Sequence, residues 1–558
     1  MHAAAARTLQ SPEASALARP TLPAGVVYAD EAVLRLDRTE AVMVAGRRCL
    51  VAMPAAYARK PRRSFPLVLT LDADGAIGSA IEIARLMTDT GEVRDSLVVG
   101  LRVEQADRLD VPAFARFLAD TLLPALRQRY RVADGAVALS DTALEGRAAL
   151  LLLMQSPPGI DHYIVGNPDG VFARTLLDTT PAQARSTAKR SLSLSGAGAA
   201  PLDLAERIGR AFGSSLRVNV QGFDSVSAAG AVVPALAFGL FKALPTGKEY
   251  AQGITVLGQP LLVRTLELLV PLLRRFAPAP APRVDTRYLW RAERMERDFE
   301  VFISLPPELV TDGSRRYPLL VALDANIEFA TVAETAARLA RAGQVQDLIV
   351  VGIGTPRAEG HVAFGYRRFE ELSPPLGTYR LQDSLGRVFR ALYAMRGREA
   401  AERLGRAPAF FDFITQDLLP ALALKLPVDP ERLGLLGHSA AGTFTGYALR
   451  QPHSPFRRYA SISPGVAISG DWLLQQDWRD PQIPPSQLVA VLGEAEKTNA
   501  FNLCAGIPNT EAFAARVALN PAIKVSTACF ADETHSSVFP LACANALLTL
   551  YPRDERAG

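Results

Sequence analysis

Cysteine, histidine and unbroken apolar sequence are all scarce in this chain of 558 residues, and each shortage narrows what the protein can do. The four cysteines, Cys49, Cys504, Cys529 and Cys543, show no C-x-x-C spacing, which argues against a zinc site or a disulfide framework. No cofactor or metal is expected. The apolar stretch from Gly230 to Leu244 is too short to span a bilayer and is interrupted by Pro234, so it is read as a core helix. Met1 to about Pro20 has Ala, Arg and Ser but no continuous apolar segment, so residues 1–24 are expected to form a disordered tail and not a secretory signal. The expectation is a cytoplasmic protein with no membrane partner. Basic residues barely outnumber acidic ones, 61 against 57, with no basic run or interleaved aromatics, so nucleic acid is not an expected partner either.

What the chain does contain is a repeat. Phe65-Pro66-Leu67-Val68-Leu69-Thr70-Leu71-Asp72 returns as Tyr317-Pro318-Leu319-Leu320-Val321-Ala322-Leu323-Asp324, and Pro112-Ala113-Phe114 returns as Pro408-Ala409-Phe410. A Pro-Ala run at 277–283 separates the copies and favours an extended linker, giving units of 25–276 and 284–558. In each unit short β-rich apolar runs alternate with amphipathic helical stretches. The fold class is therefore α/β, each unit a mostly parallel sheet flanked by helices. The offset between copies is 252 at Asp72/Asp324 (324 − 72) and 296 at Pro112/Pro408 (408 − 112), so the second carries 44 extra residues (296 − 252) in between. That segment, Thr355 to Gly405, is expected to be a long loop forming a lid or substrate wall.

Gly437-His438-Ser439-Ala440-Ala441-Gly442 follows the strand at Leu433–Leu436 and opens a helical stretch at Thr443–Arg450. A serine on so sharp a strand–turn–helix junction needs small neighbours, and Gly437 and Ala441 provide them. The Ala440 amide is one candidate oxyanion donor; the other is expected near Ala325 and Asn326. Serine needs a base. Of six histidines, His535 follows the strand at Ile523–Phe530, the position that the order serine, acid, histidine requires. His438, inside the turn, points away from the serine and is read as a packing or pocket-edge residue, with substrate binding as its candidate role. The acid is expected after Leu488–Gly493, where spacing favours Glu496 and leaves Glu494 as the alternative; a serine–histidine dyad without an acid also remains open. Ser439, Glu496 and His535 fall opposite Ala143, Ala199 and Ala229 of the first copy, which is thus expected to lack chemistry.

These motifs resemble the esterase-D-like α/β-hydrolases, the group of enterobactin-type siderophore esterases. The resemblance covers most of residues 287–552 and rests on Leu323-Asp324, Val351-Gly352-Ile353-Gly354, Arg367-Arg368, Leu372-Ser373-Pro374, the Ser439 turn, Ser461-Ile462-Ser463-Pro464 and His535-Ser536-Ser537-Val538. It implies two tandem α/β-hydrolase-like domains, with Ser439 as nucleophile, His535 as base and a carboxylate near Glu496. It also implies an arginine, Arg367 or Arg368, facing an anionic or catecholate substrate. Ala325 and Ala441 stand where the family has glycine, and the aromatic pair usual after Ser463-Pro464 is missing.

The leading expectation is a serine ester hydrolase acting through an acyl-enzyme on a small-molecule ester, such as a siderophore-like polyester or macrolactone. The same residues also serve an acyltransferase or cyclase, in which an added nucleophile competes with water. A non-catalytic binding scaffold built of two hydrolase folds is the reading from another class, and a homo-oligomer is left open.

Overall fold

The structure is a computed structural model that describes residues 22–23, 25–29, 38–72, 76–142, 144–155, 157–179, 190–223, 226–246, 289–306, 309, 314–382, 384–498 and 506–553. The linker at 277–283, nearly all of the expected tail and Ala143 lie outside these residues.

Two sheets organise the chain. Strand β1 (Val26–Tyr28) is followed by β2 (Thr39–Val44), β3 (Arg47–Ala52), β4 (Phe65–Asp72), β5 (Leu97–Arg102), β6 (Val132–Asp141), β7 (His162–Gly166), β8 (Arg190–Ala197) and β9 (Leu216–Phe223). The second half supplies β10 (Trp290–Ala292), β11 (Arg297–Ser304), β12 (Tyr317–Ala322), β13 (Ile349–Gly354), β14 (Val428–His438), β15 (Arg458–Ile462), β16 (Ser486–Gly493) and β17 (Ile523–Phe530). The first sheet runs β2-β3-β5-β4-β6-β7-β8-β9, and the second runs β11-β13-β12-β14-β15-β16-β17 with β1 on its outer edge. From β3 and from β11 onward the order is the same, antiparallel at the first step and parallel thereafter. Each parallel strand reads as an apolar run because helices cover both faces; every residue of β12 and β13 is buried. Pro66 and Pro318 lack an amide hydrogen for the ladder, and register slips beside both, between Phe65 and Leu67 and between Tyr317 and Leu319.

One boundary differs from expectation. β1, assigned by sequence to the first unit, pairs in parallel with β11, Val26 opposite Val301. The segment Thr355–Gly405 differs too. It is helical over Gly360–Leu372, Ser384–Met395 and Ala400–Arg403, and it closes on a small core of its own, Leu381, Phe389, Tyr393, Ala400 and Leu404. Forty-four extra residues here bury apolar surface, so they form packed helices and not an open loop.

The halves meet through four helices, α1 (Ile77–Asp89), α2 (Ala228–Ala243), α3 (Ala325–Arg341) and α4 (Val538–Leu550); α2, α3 and α4 share one apolar core, and α1 packs with the other side of α2 in a second. The polar contacts between α1 and α3 come in a reciprocal pair. Glu82 on α1 accepts from the Ala330 and Thr331 amides at 2.9 and 2.8 Å and from the Thr331 hydroxyl at 3.0 Å. Glu334 on α3 accepts from the Gly78 and Ser79 amides at 3.0 and 2.8 Å and from the Ser79 hydroxyl. Each partner is displaced by the repeat offset of 252, so the halves pack as the two subunits of a symmetric dimer do, residue i on j and j on i.

Candidate active site

β14 ends at His438 and the helix Ala440–Leu449 begins two residues later, leaving Ser439 to make the whole turn at φ 61° and ψ −122°. A non-glycine residue there is strained, and such strain is held only where the surroundings enforce it. The Ser439 amide donates to Ile462 O at 2.9 Å. Gly437 allows the close crossing, since a Cβ there would lie 2.2 Å from Ala441 O. At Gly442 a Cβ would lie 2.8 Å from Ile462 O. Ser439 itself is half-buried and so reachable.

His535 sits in the loop between β17 and α4. Its Nδ1 is 2.8 Å from Glu496 Oε2. The other oxygen, Oε1, accepts from the Ser463 hydroxyl at 2.7 Å and the Gly493 amide at 2.8 Å. Burial pushes the Glu496 carboxyl up, but His535, Ser463 and Gly493 together outweigh it and hold it below the usual carboxylate range. A carboxylate can only accept, so Nδ1 of His535 carries the hydrogen and Nε2 is the ring nitrogen that can take a proton. It is Glu496, not Glu494, that makes this bond; Glu494 lies half-buried two residues earlier. Ser463, at φ 41° after β15, is a supporting residue that sequence reasoning quoted without a role.

His438 does not line a substrate pocket, contrary to its sequence assignment. It is 2% exposed, stacks on Phe539 and faces His535 with ring centres 4.7 Å apart. Its Nε2 lies 2.8 Å from the His535 carbonyl oxygen, which can only accept, so Nε2 donates. Its Nδ1 lies 2.7 Å from Glu328 Oε1. Burial pulls His438 down to about 3, and burial, with Asp324 adding to it, pushes Glu328 well up. These shifts favour the neutral form of both, with a Glu328 proton donated to Nδ1. The pair anchors the backbone of the histidine loop from beneath. Glu328 gave no signal in sequence.

Ala325 and Ala440 open their helices, where backbone amides have no acceptor within the helix, the setting an oxyanion donor requires. Asn326 spends its side chain elsewhere: Nδ2 donates to Thr355 O at 2.7 Å and Oδ1 accepts from Thr355 N at 2.8 Å, clasping the end of β13. The two arginines separate. Arg368 forks onto Asp324, with Nη2 2.6 Å from Oδ2, and lines a pocket of about 260 Å³ with Phe299, Asn326, Gly354 and Phe364. Arg367 is a correction: it is 7% exposed and bonded to Glu371, Glu359 and the Asp298 carbonyl, so its donors hold the helix down and face no substrate. Among the described residues no helix is long and apolar enough to cross a membrane.

The family model described as "Putative esterase" matches residues 389–517. The ferri-bacillibactin esterase BesA of Bacillus subtilis is 26% identical over 267 residues, covering 46% of this chain and 86% of that protein. Among solved structures, the BES protein from Bacillus cereus is 19% identical, with 47% of this chain and 94% of that one covered and a TM-score of 0.38. The siderophore hydrolase EstB from Aspergillus nidulans is 22% identical, with 48% and 95% covered and a TM-score of 0.39. With the family match and the likeness to BesA, the chain is a carboxylic ester hydrolase similar to the siderophore esterases.

Proposed function

We propose that the second half cleaves a siderophore-like polyester or macrolactone through an acyl-enzyme. Ser439 attacks the ester carbonyl while His535 Nε2 takes its proton; the amides of Ala440 and Ala325 receive the oxyanion. His535 then protonates the leaving alcohol, and water repeats the sequence to free the acid. Glu496 fixes the tautomer and stabilises the imidazolium. Arg368 is the arginine left for an anionic substrate group, since it reaches the pocket and Arg367 does not. The observation that carries this reading is the bond from His535 Nδ1 to Glu496 beside a serine in a strained turn. The first half, on this reading, is a copy that has lost its chemistry.

The test is a panel of aryl esters, feruloyl esters and catecholate trilactones with wild type and Ser439→Ala, alongside fluorophosphonate labelling. Hydrolysis and labelling are expected in wild type and lost together in Ser439→Ala, by about four orders of magnitude or more in turnover. Turnover that survives the substitution would remove Ser439 from the mechanism.

A further inference from the structure

The interface between the halves reaches the catalytic histidine loop. The Ser536 hydroxyl donates to Thr90 Oγ1 at 3.2 Å, and Gln221 Nε2 donates to Glu533 Oε1 at 3.2 Å. Two residues after Thr90 comes Glu92, 1% exposed and belonging to the silent half, its carboxyl beside Thr534 and Ser536 and in the field of His535. Neither carboxyl oxygen has a well-placed hydrogen-bond donor among the described residues.

The repeat supplies the control. Glu92 plus 252 is Gln344, and the two backbones are held alike: Glu92 N donates to Met87 O and Gln344 N to Leu339 O. Gln344 reaches across to the other half in the same manner, its Oε1 accepting from the Ser227 hydroxyl at 2.5 Å, just before α2. A neutral amide therefore suffices for the structural part of this crossing. Only on the side that faces a catalytic histidine is the amide replaced by a carboxyl, despite the cost of taking one out of water.

We infer that Glu92 is a positioning residue lent by the silent half, whose carboxylate stabilises the imidazolium that His535 becomes when it takes the serine proton. Glu496 holds His535 from within its own half, and Glu92 adds a second negative charge from the other. The titratable groups facing Glu92 are His535 and Glu533, with His438 beyond. Burial pushes Glu92 up to about 7, and His535 pulls it back.

The inference rests on the assignment of His535 as base, and one experiment separates the two. Steady-state kinetics and pH profiles are measured on the full chain for wild type, Ser439→Ala, Glu92→Gln and Glu92→Asp, with Glu334→Gln as a control that disturbs the same interface away from the loop. Glu92→Gln copies the residue at 344 and is expected to lower kcat about tenfold with KM unchanged. It should also lower the pH of the acid limb of kcat/KM, because a cation loses its partner. Glu92→Asp should recover part of both effects, and Glu334→Gln should show neither. Wild-type kinetics and acid limb in Glu92→Gln overturn the inference, as does a fall in kcat matched by loss of folded protein with an unmoved limb. Should Glu92→Gln not fold, an unmoved limb in Glu92→Asp overturns it. Activity remaining in Ser439→Ala is a different failure, that of the mechanism itself.

Discussion

The ends of β6 and β14 are the same place in two copies of one sheet, and they have become opposites. One residue before the end of β14 stands Gly437, whose missing side chain lets the backbone cross Ala441 and so permits the strained turn at Ser439. β6 ends at the same register on Asp141, which is buried. Its carboxylate accepts from the amides of Leu144 at 2.9 Å, Ala148 at 3.0 Å and Ala149 at 3.2 Å. The helix that follows starts at Arg147, three residues later than the Ala440 helix once the offset of 296 is removed (440 − 296 = 144). So the first copy lacks more than a nucleophile. Where an oxyanion would be received, a fixed carboxylate already occupies the helix amides. In the first half the protein's own charge fills the place of the anion.

That comparison is sharpest at Glu496 and Glu328, which their surroundings shift in opposite directions. The donors around Glu496 favour its carboxylate, whereas burial favours the protonated form of Glu328. Glu496→Gln puts an amide where a carboxylate must accept from Nδ1 and orient the base, so kcat is expected to fall by about 10³-fold or more. Glu328→Gln replaces one neutral donor by another, and the amide NH₂ can still donate to His438 Nδ1. Its kcat should stay within about threefold of wild type. Equal losses in steady-state turnover would show that Glu328 carries charge, and the proton assignment of the His438 pair would be wrong.

The reciprocal capping pair is a second comparison that can be broken. Glu82 is fully enclosed, while Glu334 is half-buried. Glu82→Ala strands the Ala330 and Thr331 amides without water, at a cost of about 1–3 kcal/mol. Glu334→Ala strands amides that solvent reaches more easily, so its cost should lie nearer 1 kcal/mol. Denaturant unfolding of the two variants checks the order; a larger loss in Glu334→Ala would mean the contacts are not energetically paired as their geometry suggests.

How much of this was legible in sequence follows from the range of the forces involved. The sheet strands were readable because a parallel strand buried on both faces must be apolar throughout. The Ser439 turn was readable because its requirements are local: a strand, small neighbours and a helix within a dozen residues. Arg367 was misread although Glu371 lies one helical turn on, an i,i+4 pairing that was visible and unweighed. His438 could not be read, because its partner Glu328 is 110 positions away and what matters is a shared proton. The contact between the halves left a trace in Glu82 and Glu334, carboxylates at the repeat offset, but only the packed helices show that each serves the other.

The last effect expected is one of pH on stability, and it again sets unlike carboxyls against each other. Burial pushes Glu82 up to about 7, although the Ala330 and Thr331 amides oppose it. A carboxyl that binds its proton more tightly when folded adds stability below its unfolded pKa, and that stability fades as pH rises towards the folded value. The fading window for Glu82 is thus from about 4.5 to about 7. Glu496 runs the other way: its folded pKa is depressed, so its contribution is present at neutral pH and is lost only on acidification below the usual carboxylate range. Between pH 5 and 7 the falling contribution dominates, at no more than about 1.4 kcal/mol for each pH unit crossed. Glu82→Gln keeps one donor-free oxygen for the amides and cannot titrate. Its melting temperature should therefore change less across this window than that of wild type. Parallel melting profiles would mean that the interface holds Glu82 ionised throughout, and that the two halves are joined by charge as well as by shape.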